Sequence, residues 1–251
     1  MLLTAKKLSD ALFDEWMANA RRWEPVAQKA RSLGLHVWNP PLYTAQRYRQ
    51  FLDRFAPKPK GILMVGLNPG PHGMAQTGIP FTDCRTAAAK LGLSIELPGH
   101  APHDLQRWLR NAKGRWRSTY ERSSLGVYRF LELGWHGGLD LAFERVYIAN
   151  PCPLLFFSRA GKNVTPADAV LRKLPEMQML RCEALRNAHA LLSARTIVCL
   201  GADAGAAMGP LAASLVGETH TVLYPHPARA VPESWARGLV LRVNASGETP
   251  L

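Results

Sequence analysis

Asn68, Asn150 and His226 are the residues of this 251-residue sequence whose types and places point first to chemistry. Each stands just after a short apolar run: Asn68 after ILMVGL, Asn150 at the end of RVYIAN, and His226 after HTVLYP. Two amides and an imidazole supply donors and acceptors for a polar ligand, and no Asp, Glu or Lys stands among the three. Cys152 follows Asn150 by two places and raises the question of a thiol nucleophile. The simpler reading is a small buried hydrophobe.

These positions become meaningful through the elements that hold them. The runs at 62–67, 145–150, 196–201 and 220–225 are short and β-branched or aromatic-rich, as buried strands are. Helical spacing recurs at 5–24, 44–55 and 165–192, with NPPLY at 39–43 ending any helix there, and with Thr165 as a cap and Pro166 at the first turn of the last helix. Such alternation predicts an α/β fold: a single three-layer α/β/α domain over residues 1–251, with a short parallel sheet. A helical extension over about 1–58 precedes a core over about 60–243. Ligands of such sheets bind outside the carboxyl ends of the strands, which is where the three polar residues fall together with Gly201-Ala202-Asp203.

Formal charge +12, from 31 Lys+Arg against 19 Asp+Glu, points to polyanionic partners, nucleic acid before a membrane surface. The stretch 107–122, RWLRNAKGRWRSTYER, interleaves basic residues and a single Glu with Trp108, Trp116 and Tyr120. That composition suits phosphates and unstacked bases, and equally a solvated helix face anchored by tryptophans. No apolar run reaches the length of a membrane span and no secretory signal opens the chain, so a cytoplasmic protein is expected. The four cysteines are widely spaced, with no C-x-x-C pair for zinc or an iron–sulfur cluster, and are read as reduced and mostly buried. Neither a metal nor another cofactor is expected.

Against this basic background the loop GLNPGPHGMAQTGIPF at 66–81 carries no formal charge and is rich in glycine and proline. Together with NPCPL, N-V-T-P at 163–166 and HPARAVP at 226–232, in this order and at these separations, it resembles the single-strand-selective monofunctional uracil-DNA glycosylases of the uracil-DNA glycosylase superfamily. The resemblance implies hydrolysis of the N-glycosidic bond of uracil in single-stranded and duplex DNA by a monomer, without a metal, leaving an abasic site. It implies that Asn68 positions the attacking water, that His226 donates to charge developing at O2, and that Asn150 reads N3–H and O4. It places Phe81 in a stack on the flipped base and Met74 in the base pocket, with Gly70 and Gly73 leaving room at the C5 edge, so that 5-hydroxymethyluracil is also accepted. Pro227, Arg229 and Val231 fall in the segment that fills the gap left by a flipped base.

The sequence departs from the family pattern at Leu67, where methionine is common, and at His72, where phenylalanine is common. After His226-Pro227 its arginine stands one place early. No lysine stands at a strand end to form a Schiff base, so coupled lyase chemistry is not expected. The alternative reading is a non-catalytic nucleic-acid-binding protein with a glycosylase-like fold. A small-molecule nucleotide enzyme would need a basic residue in its glycine-rich phosphate loop, and residues 66–81 contain no Lys or Arg.

Overall fold

A computed structural model describes residues 5–93, 102–111, 113, 120–136, 138–212, 215 and 219–247. The first half contains α1 (Ala5–Arg22), α2 (Glu24–Ser32), β1 (His36–Trp38), α3 (Pro40–Phe55), β2 (Ile62–Val65), α4 (Met74–Thr77), α5 (Cys84–Leu91) and α6 (His103–Leu109). After these come α7 (Arg122–Gly134), α8 (Leu139–Arg145), β3 (Val146–Ala149), β4 (Leu155–Phe157), β5 (Asn163–Val164), α9 (Ala169–Arg172) and α10 (Glu176–Leu192). The chain closes with β6 (Thr196–Leu200), α11 (Ala202–Ala212), β7 (His220–Tyr224) and α12 (Pro232–Ala245).

The fold is α/β. Four parallel strands in the order β3-β2-β6-β7 form the central sheet, flanked by helices. Every residue of β2 and β6 is buried, which is why β2 and, after Thr196, β6 read in sequence as apolar runs. Helix α1 packs on α3 and α10, while α7 packs on α8 and α12. Leu8 and Leu12 of α1 belong to the same core cluster as Ile62–Val65 and Val243, so the N-terminal helix is packed into the main core.

A second, antiparallel sheet, β1-β4-β5, was not legible in the sequence. Its strands are three, three and two residues long, too short for a periodicity to register. Trp108 stacks on Phe157 of this sheet, with ring centroids 6.0 Å apart, and is an anchor there. Trp116, with the rest of 114–119, lies outside the described residues.

Two helix starts differ from expectation. The prolines of NPPLY open α3, because Pro40 and Pro41 occupy its first turn, where their missing N–H groups cost nothing. Thr165 caps no helix: its N–H and hydroxyl both donate to Asp168 Oδ2, at 2.7 and 2.9 Å, closing a turn. The helical segment therefore begins at Ala169, and α10 starts only after Pro175.

All four cysteines are buried free thiols. Burial pushes the Cys152 thiol up to about 12, which removes it as a nucleophile near neutral pH. No described helix is long and apolar enough to cross a membrane.

Candidate functional site

A cleft of about 680 Å³ opens at the carboxyl ends of the parallel strands. Asn68 follows β2, Asn150 follows β3, Gly201 follows β6 and His226 follows β7, and all four line it, together with Gly70, Phe81 and Glu121. The parallel register fixes this convergence. Val65 pairs with both Ala149 and Cys199, so the strands leave the sheet at one level.

Asn68 is held by its amide nitrogen, which donates to the carbonyls of Leu154 at 3.3 Å and Pro69 at 3.4 Å. That leaves Oδ1 as the end with which the side chain can accept from a water. Asn150 is placed from below, since α1 supplies Asn19, whose Nδ2 donates to Pro151 O at 3.3 Å and whose Oδ1 accepts from Trp23 Nε1 at 3.1 Å. The Asn150 amide is under-used: Nδ2 meets Met74 Sδ at 3.2 Å, and Oδ1 is buried with no hydrogen-bond partner. An orphaned buried acceptor is costly, and a ligand N–H satisfies it.

His226 is exposed at the other side of the cleft. Its Nδ1 accepts from Ala228 N–H at 3.3 Å, so in the neutral ring the proton sits on Nε2, where it can be donated. Two contacts tie the end of β7 to α12: Trp235 Nε1 donates to Pro225 O at 2.8 Å and Tyr224 hydroxyl to Trp235 O at 3.1 Å. Gly201, with φ +97°, lets the chain turn beneath the imidazole; a Cβ there would lie 3.4 Å from His226 Cβ.

Phe81 sits at φ +54°, a left-handed conformation that costs a non-glycine residue on the order of 1–3 kcal/mol. Its ring is 6 % exposed, lines the cleft, and lies 6.1 Å from the His226 ring between centroids. Gly66 makes this position available. A Cβ on Gly66 would lie 2.5 Å from Phe81 Cε2 and would collide with Asn150 Oδ1 as well, so one glycine admits two site residues at once. Its role was missed in the sequence, where its place at the start of GLNPG was the only signal.

Gly73 and Met74 are not on the cleft surface, and Met74 is fully buried behind Asn150. The space over Gly70 and Gly73 is taken by Glu121. A Cβ on Gly70 would lie 2.8 Å from Glu121 Cδ, and a Cβ on Gly73 2.6 Å from the same atom. Glu121 precedes α7, and its N–H donates to Asp83 Oδ2 at 3.1 Å, while Asp83 Oδ1 caps α5 by accepting from Thr86 N–H at 2.7 Å. The Glu121 carboxyl is pushed up to about 7, chiefly by burial, with Asp83 adding to the rise and the Ser123 hydroxyl opposing it.

Of the remaining expected residues, Pro227 is buried against α7, where a Cβ on Gly126 would lie 2.9 Å from Pro227 Cβ. Arg229 ends a 3-10 turn, Pro227–Arg229. Val231 is 68 % exposed and lines a neighbouring groove between α7 and α12 with Arg129 and Glu233, beside the cleft and outside its lining. Among the described residues no group of three His, Cys, Asp or Glu is arranged to hold a metal ion.

Two amides, an imidazole and an aromatic ring thus line one cleft at the carboxyl edge of the parallel sheet. The chain belongs to the Uracil DNA glycosylase superfamily, whose sequence profile matches residues 52–237. It is 28% identical over 218 residues to the single-strand selective monofunctional uracil DNA glycosylase of Bos taurus, covering 86% of this chain and 79% of that one. The Rattus norvegicus protein of that name is equally similar, 28% identical, with 86% and 77% covered. In three dimensions the chain is similar to the wild-type SMUG2 of Pedobacter heparinus, with a TM-score of 0.65 over 85% of this chain and 89% of that one at 20% identity. That likeness shows the shared fold.

Proposed function

We propose that this protein is a monofunctional DNA glycosylase that hydrolyses the N-glycosidic bond of uracil in single-stranded and duplex DNA. Superfamily membership gives the reaction class, and one observation carries the choice of base: the Asn150 amide, with a buried Oδ1 that lacks a partner and an Nδ2 that meets only a thioether. Uracil offers N3–H and O4 side by side, a donor and an acceptor that fit this amide. Cytosine offers the reverse pair, and each mismatched buried group costs about 1–3 kcal/mol.

In this reading the flipped base enters between Phe81 and the strand ends and stacks on the strained ring. As the glycosidic bond breaks, negative charge spreads over O2, N3 and O4 while the sugar becomes cationic. His226 donates from Nε2 toward O2, and Asn68 Oδ1 orients the water that attacks C1′. An amide is a poor base, so the reaction relies on departure of a stabilised anion and only lightly on proton removal from water. The protein's excess of positive charge draws the DNA backbone to the cleft.

Asn150→Asp tests the reading, because a carboxylate accepts from a cytosine amine and cannot donate to O4. Release of cytosine relative to uracil from matched single-stranded oligonucleotides is expected to rise. Unchanged uracil release would show that Asn150 does not read the base.

A further inference from the structure

Beside the cleft, the small sheet β1-β4-β5 carries charge that the reaction just described does not use. Strand β4 starts at the cleft, next to Leu154, whose carbonyl holds Asn68, and β5 returns to it, since Asn163 and Thr165 line the cleft. Between them a tight turn over 158–162 is closed by Ser158 N–H to Lys162 O and Gly161 N–H to Ser158 O, both at 2.9 Å, and by Lys162 N–H to the Ser158 hydroxyl at 3.1 Å. The paired strands are two and three residues long, so at about 3.3 Å per residue the turn stands on the order of 10 Å from the cleft.

Three exposed cations gather at this turn. Arg159 and Lys162 belong to it, and Arg107 of α6 lies over the Trp108 ring, 5.3 Å from its centroid. Trp108 brings α6 there: it stacks on Phe157 of β4, and a Cβ on Gly161 would lie 2.8 Å from its Cζ3. The Arg159 guanidinium rests on Gly34, where a Cβ would lie 2.8 Å from Nε. Side chains supported in this way lose less freedom when they take a ligand. None of the three cations forms a salt bridge among the described residues. The two carboxylates at hand are engaged elsewhere: Asp104, one helical turn before Arg107, accepts from Trp38 Nε1 at 2.9 Å, and Asp168, which feels the charge of Lys162, accepts from Thr165.

We propose that the 158–162 turn with Arg107 is an extended DNA-binding surface, which holds phosphates of the single strand that leaves the cleft. Uncompensated positive charge fits a polyanion, and a hairpin that begins and ends at the cleft makes the surface continuous with the site of the flipped base. A flexible single strand can follow this path, whereas the same strand in a duplex is tied to its complement. Such contacts add affinity and read no sequence. The inference rests on the reading of the cleft as a site for DNA.

The test compares the wild-type chain with Arg159→Gln/Lys162→Gln and with a control, Lys58→Gln/Arg145→Gln, which removes two exposed charges at the opposite, amino edge of the parallel sheet. Each is measured on single strands of about four and about sixteen nucleotides with one central uracil, and on the longer strand without uracil for affinity alone. For the turn variant, kcat/KM on the longer strand relative to the shorter is expected to fall about tenfold through KM, with kcat kept. The slope of log affinity against log salt is expected to lessen by about 1.4, the share of two phosphates on a single strand. The control should keep both quantities near their wild-type values. Equal losses on the two lengths, an unchanged salt slope, or a control that loses as much as the turn variant overturns the proposal. If wild-type protein releases no uracil while the turn variant alone binds the longer strand more weakly, the excision reading falls and this surface stands.

Discussion

Two walls face each other across the cleft, and they are built differently. The wall at 66–83 is buried almost throughout and stitched to itself and its neighbours: Thr77 hydroxyl donates to Thr82 O at 2.7 Å, Gln76 Nε2 to Pro71 O at 3.1 Å, and Arg47 from α3 to Gln76 O at 2.5 Å. In the wall at 225–231, Pro225, His226 and Val231 are exposed, and Pro227 and the Trp235 contacts are its main anchors. A base pocket gains from being formed before the base arrives, because ordering it on binding would cost affinity. A segment that meets DNA has to be reachable. The strain at Phe81 sits on the buried wall, where dense packing can hold an unfavourable backbone in place.

The comparison is broken most severely by removing the groups that act on charge and water. His226→Ala, on the exposed wall, and Asn68→Ala, on the buried one, are each expected to lower the single-turnover rate by about 10²–10³, with DNA affinity nearly kept. A small loss of rate with a collapse of binding would reverse these roles.

Glu121→Gln is expected to act on stability in a pH-dependent way. Burial pushes the folded carboxyl up to about 7 from its ordinary 4.5, so between those values the folded state holds a proton that the unfolded state has released. Its contribution is therefore fully present below the lower value and lost as pH rises through the upper one. The glutamine variant should be the more stable protein at about pH 8.5, by up to about 3 kcal/mol, and lose that advantage near pH 5. Thermal unfolding at the two pH values measures this. A constant difference between the proteins would mean that the carboxyl is not buried as described.

Gly66→Ala tests how far the buried wall is pre-formed. Its Cβ collides with Asn150 and Phe81 together, so the variant should lose about 1–3 kcal/mol of stability and much of its excision rate at once. Gly209→Ala, where the added Cβ meets nothing within 4 Å and φ is not positive, serves as the control without a collision.

The smallest effect concerns the exposed wall. Arg229→Ala combined with Val231→Ala is expected to slow excision from duplex DNA several-fold more than from single strands, because only a duplex must be held open, at a cost of a few kcal/mol. Rates on both substrates at one low salt concentration decide it. Equal losses would assign the segment to general binding, and the position of Val231 on the neighbouring groove makes this a sharp question.

The parallel sheet and the strand-end polar residues were legible because both leave local signals: apolar runs of strand length, each followed by a turn residue. Glu121 was not, since it stands between Tyr120 and Arg122 in a stretch that reads as basic and aromatic, and its neighbours in space are glycines some fifty residues earlier. Gly66 likewise reads as one more turn glycine until Phe81 and Asn150 are seen to meet above it. The loop at 66–81 showed that a pocket should be there, while the acid that enters it comes from tertiary packing alone.

The most direct test of the central claim is the release of free uracil from a single-stranded oligonucleotide with one labelled uracil, followed by alkaline cleavage of the strand. Wild-type protein is expected to release uracil, leave one alkali-labile site at that position and form no borohydride-trapped adduct, while the Asn68→Ala protein does so far more slowly. Tight binding of the oligonucleotide with no release of base would contradict the account and identify the protein as a binding module with a glycosylase fold.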